Sequence, residues 1–269
     1  SLYPSAMVRL EGLPEGEPKI LTEEQLDYNT IKGFDWYIVD VEITDLKIKR
    51  AFPLLSIKND KGTRIFTNEI IGEVFRVDKI QLEDLIEFQG VSFKLLKGLY
   101  FDEGFNPDIK EVVSKLFSTR KKLKAKGDEK ENIYKLILNS AYGKMIQKEH
   151  DEKTKIISGK KNIETYVSRN YNEIKHITYY DTREKREKAR IAVSSGRKAH
   201  LNLPHLGGMI LSMSKRIMNE VICLAEDNKI DIYYQDTDSI HLKFEDINNL
   251  KKLYANKYNR VLEGKSLGQ

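Results

Sequence analysis

Alternating apolar and polar positions fill much of the first hundred residues and predict β-strands. Phe34–Ile43 combines this alternation with β-branched and aromatic residues, and Phe52–Ile57 and Val91–Phe101 have the same character. Lys79–Phe88 instead carries its apolar residues at helical spacing, and Gly90 is expected to end that helix. This part of the chain therefore predicts strands and turns, with one helix ahead of the strand Val91–Phe101.

Helical periodicity replaces alternation after Pro107. One helix is expected from there to the break at Gly127-Asp128, and a second over Glu129–Ile146. Two helices joined by so short a turn form an antiparallel hairpin. The positions predicted to form its apolar faces are Ile109, Val112, Val113, Leu116, Phe117, Ile133, Leu136, Ile137 and Leu138.

A polar, tyrosine-rich stretch follows over Lys148–Arg190. Short strand-like pieces flank Ser158-Gly159-Lys160, so this stretch is expected to be an inserted β-hairpin. Met, Ile and Val residues at helical spacing then predict a long helix over Gly207–Asp227.

The last part of the chain predicts a second hairpin and a closing helix. Ile230–Tyr234 and Ile240–Phe244 are strand-like runs on either side of the turn Asp236–Ser239. The final helix is expected over Asp246–Leu262.

The composition of the 269 residues, 40% hydrophobic and 32% charged, is typical of soluble globular proteins. No run approaches the roughly 20 apolar residues that span a bilayer, so no membrane partner is expected. The one cysteine, Cys223, excludes a disulfide framework and a cysteine-based zinc site. The five histidines show no metal-ligand spacing.

The net charge of +5 is mildly basic and does not by itself indicate a nucleic-acid partner. Five basic residues lie between Arg120 and Lys126, and five more between Arg183 and Arg190. Such runs are usually solvated faces, so only their context can give them a function.

Two carboxylates stand in the turn of the last predicted hairpin, in Asp236-Thr237-Asp238. A hairpin holds such side chains close together at the end of a sheet, and their hard oxygen atoms suit Mg²⁺ better than zinc. Phosphoryl transfer with two metal ions uses carboxylates of this kind. Asp-x-Asp alone is common, and an Asx-type turn that only caps backbone amides is the alternative.

The second predicted hairpin helix contains the pattern Lys-x-x-x-Asn-Ser-x-Tyr-Gly. Lys135, Asn139 and Tyr142 fall on one helix face, because they are separated by about one and two turns. Lys135 offers a point charge to a triphosphate, Tyr142 offers a flat ring to a base, and Gly143 permits a close approach. On the preceding helix, the basic run around Arg120 can face the same triphosphate.

Ser1-Leu2-Tyr3-Pro4-Ser5 opens the chain ahead of both patterns. In this order and approximate spacing, the three segments resemble motifs A, B and C of family B DNA polymerases, whose motif A is Asp-x-x-Ser-Leu-Tyr-Pro-Ser. Phe101–Asn106 and the basic hairpin after it resemble the protein-primed branch, found in viruses, virophages and self-synthesising elements. The resemblance covers nearly the whole chain.

The resemblance implies a metal site and a nucleotide site. Asp238 would bind both catalytic Mg²⁺ ions, with Mn²⁺ as an alternative, and Asp236 would be a ligand or a close neighbour. Tyr3 would lie under the deoxyribose and clash with a 2′-hydroxyl. The implied nucleotide-binding residues are Ser1, Leu2, Tyr3, Arg120, Lys124, Lys135, Asn139 and Tyr142. The residues implied on the DNA side are Gly143, Tyr234 and Thr237.

The implied fold class is α+β: a polymerase palm, built from an antiparallel sheet with helices, plus two-helix fingers and two inserted subdomains. One insertion would contact a priming terminal protein and DNA, and the other would surround the downstream template. The expected divisions are palm 1–16, first insertion 17–106, fingers 107–147, second insertion 148–190 and palm 191–269.

Template-directed DNA synthesis is the expected activity, with primer-template DNA, dNTP and a priming protein as partners. The motif A aspartate, the proofreading exonuclease and the thumb of this family do not occur in the 269 residues. The chain is therefore expected to be a fragment that does not polymerise alone. One alternative is a degenerate homologue that binds DNA or a priming protein without catalysis. Another is a different two-carboxylate enzyme, a reverse transcriptase or a nuclease, against which the Lys135–Gly143 pattern argues.

Overall fold

The computed structural model describes residues 2–147, 152–180, 188–194, 202–264 and 267. The chain divides into two compact units: residues 1–145 with 204–269 form the first, and residues 146–203 form the second. The helices of the described residues are α1 (Leu2–Arg9), α2 (Tyr28–Ile31), α3 (Lys79–Asp84), α4 (Asp108–Ala125), α5 (Glu131–Met145), α6 (Lys160–Asn170), α7 (Pro204–Asp227) and α8 (Phe244–Tyr258).

The strands of the described residues alternate with these helices. They are β1 (Leu13–Pro14), β2 (Lys19–Ile20), β3 (Trp36–Leu46), β4 (Ser56–Lys58), β5 (Arg64–Phe66), β6 (Val74–Asp78), β7 (Val91–Phe101), β8 (Phe105–Asn106), β9 (Glu152–Ser158), β10 (Ile174–Tyr180), β11 (Lys188–Ser194), β12 (Ile232–Asp236) and β13 (Ser239–Leu242). The mixed α+β class predicted from the sequence is confirmed.

A four-stranded antiparallel sheet forms the largest part of the first unit, in the order β2-β7-β3-β6. Its core includes Tyr37, Val39, Val41 and Ile43, all at most 1% exposed. The predicted strand Val91–Phe101 occurs with those bounds, because Gly90 takes the left-handed conformation (φ 58°) that ends the preceding helix.

Two local predictions for this region were wrong in part. The strand expected over Phe52–Ile57 covers only Ser56–Lys58. The helix that begins at Lys79 is an α-helix only to Asp84, and a π-helical turn continues it over Leu85–Gln89. Asp78 caps its first turn by accepting a hydrogen bond from the Gln81 amide at 2.9 Å.

The second core cluster joins α1, α4, α5 and α7. Its buried members include one residue from each of these helices: Met7, Val113, Leu138 and Ile210. The predicted apolar faces of α4 and α5 were only partly right. Residues predicted as apolar-face positions that are instead largely exposed are Val112, Ile133, Leu136 and Ile137. The other predicted positions do reach the cluster: Val113 and Leu138 are buried in it, and Ile109, Leu116 and Phe117 are half-buried against it.

Two arginines tie the sheet region to α7. Arg50 is 6% exposed, and it donates hydrogen bonds to the Phe88 carbonyl at 2.8 Å and to the Asp227 carboxylate at 2.5 Å. Arg216 of α7 donates to the carboxylate of Asp84 and to the Ile80 carbonyl. Burial raises the pKa of Asp84 to about 7, against the opposing effect of Arg216.

The hairpin β12–β13 packs with α7 and α8 around a third cluster that includes Val221, Ile230 and Leu250. The first strand lies two residues later than predicted, so Asp236 is its last residue. The closing helix is shorter than predicted: it ends at Tyr258, and Asn259 caps it in the left-handed conformation at φ 52°.

The second unit is a three-stranded antiparallel sheet in the order β10-β11-β9, with α6 packed on one face. The predicted simple hairpin was wrong, because Gly159 begins a helix rather than a tight turn. Where the chain enters and leaves the second unit, the Asn202 side-chain amide donates a hydrogen bond to the Gln147 carbonyl at 3.0 Å. Within the described residues, no helix combines the length and apolar character that a membrane crossing requires.

Candidate active site

The two carboxylates of the predicted metal turn lie at the tip of the β12–β13 hairpin. Asp236 pairs with Ser239 across the strands, which leaves Thr237 and Asp238 as the loop. The Ser239 hydroxyl donates to the Asp236 carbonyl at 3.0 Å, and the Thr237 hydroxyl donates to the Asp236 carboxylate at 3.1 Å. Both carboxylates are exposed at the surface of the turn.

Thr237 adopts a backbone conformation that is unusual for its type. Its φ of 44° lies in the left-handed region, where a β-branched residue is strained. A two-residue hairpin loop commonly needs φ above zero at its first position, which Gly normally supplies. Strain of this kind concentrates at functional sites, where the surrounding structure holds the residue in place.

The N-terminal segment forms the short helix α1, and its aromatic residue meets the Lys135–Gly143 pattern directly. The rings of Tyr3 and Tyr142 are stacked, with centroids 4.2 Å apart and planes 10° from parallel. Both side chains are half-buried against the second core cluster. Burial, with a smaller contribution from Tyr3, raises the pKa of Tyr142.

One cavity of about 580 Å³ brings α1 beside the carboxylate hairpin. Leu2, Ser5 and Arg9 line it from α1, and Asp238 and His241 line it from the hairpin. Helices α7 and α8 supply most of the remaining apolar lining, and Ile240 and Leu242 of β13 and Leu262 supply the rest. Helix α1 therefore lies between the two other predicted motifs, in contact with one through Tyr3 and sharing a cavity with the other.

The basic residues predicted to hold a triphosphate differ in their surroundings. Lys124 on α4 and Lys135 on α5 are exposed. Arg120 is instead half-buried, and its Nε donates to the Glu131 carboxylate at 2.9 Å. This ion pair connects the two helices of the hairpin.

The remaining predicted residues occupy accessible positions. Asn139 is exposed on α5, and a Cβ built on Gly143 meets nothing within 4 Å, so the space beside it is open. Tyr234 is 56% exposed, with its ring edge against His241 at a centroid distance of 5.3 Å. Ser1 lies outside the described residues.

A buried charge cluster beside the cavity was not predicted from the sequence. The Glu220 carboxylate of α7, which is 4% exposed, accepts a hydrogen bond from Arg9 of α1. Its second oxygen accepts from the Tyr254 hydroxyl at 3.0 Å and lies 3.6 Å from Arg260. The partners Arg9 and Glu220 are 211 residues apart, so no local pattern marks them.

The donor chemistry of the turn suits magnesium only in part. Carboxylate oxygens are the hard ligands that Mg²⁺ prefers, and Asp236 and Asp238 supply two such groups. Within the described ranges, no set of three or more His, Cys, Asp or Glu side chains is gathered as a metal site would require. The hairpin therefore offers two carboxylates, which are fewer than a metal site of this kind would gather.

Known proteins resemble the chain at the level of family and fold. Residues 1–222 match the family model described as DNA polymerase type B, organellar and viral. No curated protein sequence matches the chain significantly.

Several solved structures of Phi29 DNA polymerase share this fold. The orthorhombic crystal form has a TM-score of 0.54 at 20% identity, over 94% of this chain and 39% of that one. The ternary complex with primer-template DNA and incoming nucleotide substrates has a TM-score of 0.53 at 19% identity, over 90% and 37%. The complex with single-stranded DNA has a TM-score of 0.53 at 19% identity, over 93% and 38%. The chain thus spans less than half the length of these relatives.

The family match covers most of the chain and contains the first two of the three predicted motifs. Together with the Phi29 fold it supports the protein-primed branch predicted from the sequence. The chain belongs to the type B DNA polymerases, organellar and viral.

Proposed function

We propose that this chain carries the nucleotide pocket and part of the metal site of a template-directed DNA polymerase. The observation that carries the proposal is the position of α1, whose Tyr3 stacks on Tyr142 while its Leu2 lines one cavity with Asp238. Three motifs that are far apart in the sequence thereby surround one region of the first unit. The reaction is attack of a primer 3′-hydroxyl on the α-phosphate of a dNTP, with release of pyrophosphate and loss of the hydroxyl proton.

In the proposed reaction, each group of residues has a separate role that follows from its chemistry. The backbone amides at the start of α1 point at the nucleotide phosphates, as at other helix N-termini. Exposed Lys124 and Lys135 neutralise charge on the triphosphate as pyrophosphate leaves. The stacked pair of tyrosines supplies a rigid flat wall for the sugar and the nascent base pair. Gly143 leaves room for the DNA.

Asp236 and Asp238 would hold divalent cations, Mg²⁺ or Mn²⁺, at the hairpin tip. Bound there, the ions would polarise the phosphate oxygens and lower the pKa of the attacking hydroxyl. Two carboxylates alone are a poor cage for two ions, so we expect the 269-residue chain to need a further carboxylate for catalysis.

The partners follow from the proposed activity. Phi29 DNA polymerase has been solved with primer-template DNA and incoming nucleotides, and we propose both as ligands of this chain. We also propose a priming terminal protein as a partner of the first insertion, residues 17–106. In that initiation reaction a protein hydroxyl would replace the primer 3′-hydroxyl.

Titration of the 269-residue chain with a fluorescent dNTP and Mg²⁺ tests the nucleotide pocket. K135A is expected to weaken binding by about 10- to 100-fold, which is the usual contribution of a hydrogen bond to a charged group. K122A is the matched control, because Lys122 is an exposed lysine of the same basic run on another face of α4. Equal losses in the two variants would exclude Lys135 from a specific triphosphate site.

A primer-extension assay separates the proposal from its main rival, a homologue that binds DNA without catalysis. The chain as given is expected to leave a primed template unextended. Addition of an upstream strand that ends in Asp three positions before Ser1 is expected to restore Mg²⁺-dependent extension, and D238A in that longer chain to abolish it. A longer chain that binds DNA but no dNTP would support the rival instead.

A further inference from the structure

Two different sides of the short helix α1 are packed. Leu2, Ser5 and Arg9 line the cavity beside the carboxylate hairpin, and their spacing along the helix puts them on one face. Tyr3 and Met7 lie on another face and pack in the second core cluster. Arg9 and Tyr3 are about 120° apart around the helix axis and about 9 Å apart along it. A rotation of α1 therefore moves both side chains together.

Apolar packing alone does not define this rotation sharply. Ala6, Met7 and Leu10 are at most 2% exposed and supply the buried apolar contacts of α1 and of the residue that follows it. Such contacts are non-directional, so a helix of eight residues can turn a little while its apolar side chains stay buried. A hydrogen bond between charged groups is directional, and it can fix the rotation that apolar contacts leave free.

The Glu220 carboxylate of α7 provides such a directional contact. It is 4% exposed, and one of its oxygens accepts a hydrogen bond from Arg9, the last residue of α1. Its other oxygen accepts from the Tyr254 hydroxyl of α8 at 3.0 Å and lies 3.6 Å from Arg260. Burial raises the pKa of Tyr254 to about 12, so its hydroxyl remains a donor at neutral pH. One carboxylate thus connects the end of α1 to both α7 and α8.

We propose that Glu220 is a positioning residue for the nucleotide pocket. Through Arg9 it fixes the rotation of α1, and it thereby holds the Tyr3 ring on the Tyr142 ring. Loss of the buried carboxylate charge leaves Arg9 without its anion, so the arginine turns toward solvent and α1 rotates with it. The inference rests on the proposed function and deepens it, since it names a residue that sets sugar selection without touching the nucleotide.

Two variants break the contact from its two ends. E220Q keeps the shape of the side chain and removes its charge. R9M removes the partner on α1 and leaves Glu220 with Tyr254 and Arg260, so it serves if E220Q does not fold. Circular dichroism and urea unfolding of each variant show whether the fold is kept.

Two matched controls separate positioning from general stability. E226Q makes the same change on the same helix, where the carboxylate lies 3.6 Å from Arg50 instead of contacting α1. R260M removes a cation from the same carboxylate and leaves the hydrogen bond between Arg9 and Glu220 in place. Both controls are expected to lower stability without moving Tyr3.

The first readout needs no ligand. In protein with isotope-labelled tyrosine rings, NMR cross-peaks between Tyr3 and Tyr142 report the contact between the two rings. Y3F removes the labelled ring at that position and so identifies these cross-peaks. We expect the cross-peaks to be lost in E220Q and R9M and to be kept in E226Q and R260M.

The second readout is the preference for dATP over ATP, measured by competition with a fluorescent dNTP. E220Q and R9M are expected to lower this ratio about three- to tenfold, and the two controls to change it less than about twofold, because a small displacement of a positioned group is costly. Both ligands are measured on the same sample, so a loss of folded protein lowers both affinities alike and leaves the ratio unchanged. A purely structural role of Glu220 would therefore lower stability without changing the ratio.

Unchanged cross-peaks in folded E220Q and R9M would overturn the inference, and so would an equal loss of cross-peaks in E226Q or R260M. If the cross-peaks are lost but neither E220Q nor Y3A changes the ratio, Glu220 positions the ring and the sugar contact of the proposed function fails. If Y3A lowers the ratio and E220Q does not, the sugar contact stands and the role of Glu220 fails.

Discussion

The Tyr3 ring lies flat on the Tyr142 ring, with centroids 4.2 Å apart. The contact joins the first helix of the chain to the helix that carries Lys135. In the proposed pocket, it holds the Tyr3 ring under the position that the sugar of a nucleotide would take.

The first prediction concerns sugar selection by this stack. Y3A is expected to lower the preference of the chain for dATP over ATP by about tenfold, because the ring that blocks a 2′-hydroxyl is lost. The two affinities are measured by competition with a fluorescent dNTP. Y3F keeps the ring and should keep the preference, and an unchanged ratio in Y3A would remove Tyr3 from the sugar site.

The second prediction concerns the ion pair between Arg120 and Glu131. Glu131 competes with a triphosphate for Arg120 and adds negative charge one turn before Lys135. E131Q is expected to strengthen dNTP binding about three- to tenfold and to make it more sensitive to salt. E129Q removes an exposed carboxylate next to the hairpin turn and should have little effect. Weaker dNTP binding in E131Q would mean that the pair positions Arg120 productively.

The third prediction concerns the buried arginine that joins the sheet to α7. R50M leaves the Phe88 carbonyl and the Asp227 carboxylate without their donor, so we expect a loss of about 2–4 kcal/mol in the free energy of unfolding. Urea denaturation measures the change. R76M breaks the ion pair between Arg76 and Asp40. Because the Arg76 side chain is 69% exposed, this change should lower the free energy of unfolding by less than about 1 kcal/mol. Similar losses in both variants would contradict the role of burial.

The fourth prediction concerns pH. Burial raises the pKa of Asp78 to about 6, against hydrogen bonds from Ser212 and the Gln81 amide. A carboxyl whose pKa is higher in the folded state than in the unfolded state stabilises the fold when it is protonated. Its contribution to stability therefore falls as the pH rises from about 4 to about 6, and it stays constant at higher pH. D78N cannot titrate and keeps a good N-cap residue. Relative to the wild type, the free energy of unfolding of D78N should rise by up to about 3 kcal/mol between pH 4 and pH 6.

Thermal or urea unfolding at several pH values tests this difference. A difference between D78N and the wild type that stays flat from pH 4 to pH 7 would contradict the raised pKa.

Sequence patterns predicted correctly those elements whose ends are marked by neighbouring residues. Both ends of β7 were predicted correctly. The strand follows Gly90, which adopts φ 58°, and its apolar and polar side chains alternate as in a half-buried strand. The apolar faces of α4 and α5 could not be predicted in the same way. Periodicity shows which side of a helix is apolar, but only the packing partners decide how many turns are buried, and here Leu138 is the buried member of α5.

The residues of the candidate site divide in the same way: those close together in sequence were predicted, and the pair far apart in sequence was not. The hairpin turn at Asp236–Asp238 and the face of α5 were visible because their residues are close in sequence. The pairing of Arg120 with Glu131 lay within reach, since both residues stand near one tight turn. The Arg9–Glu220 pair was not predictable, because its partners meet only when the first helix packs on α7.

The hydrogen bond from Asn202 to the Gln147 carbonyl has an evolutionary consequence. It brings the entry and exit of the second unit side by side, so the unit is attached through a single neck. A module attached in this way can be lengthened, exchanged or lost between lineages without rerouting the rest of the chain. The small sheet and helix found in place of the predicted hairpin form such a module.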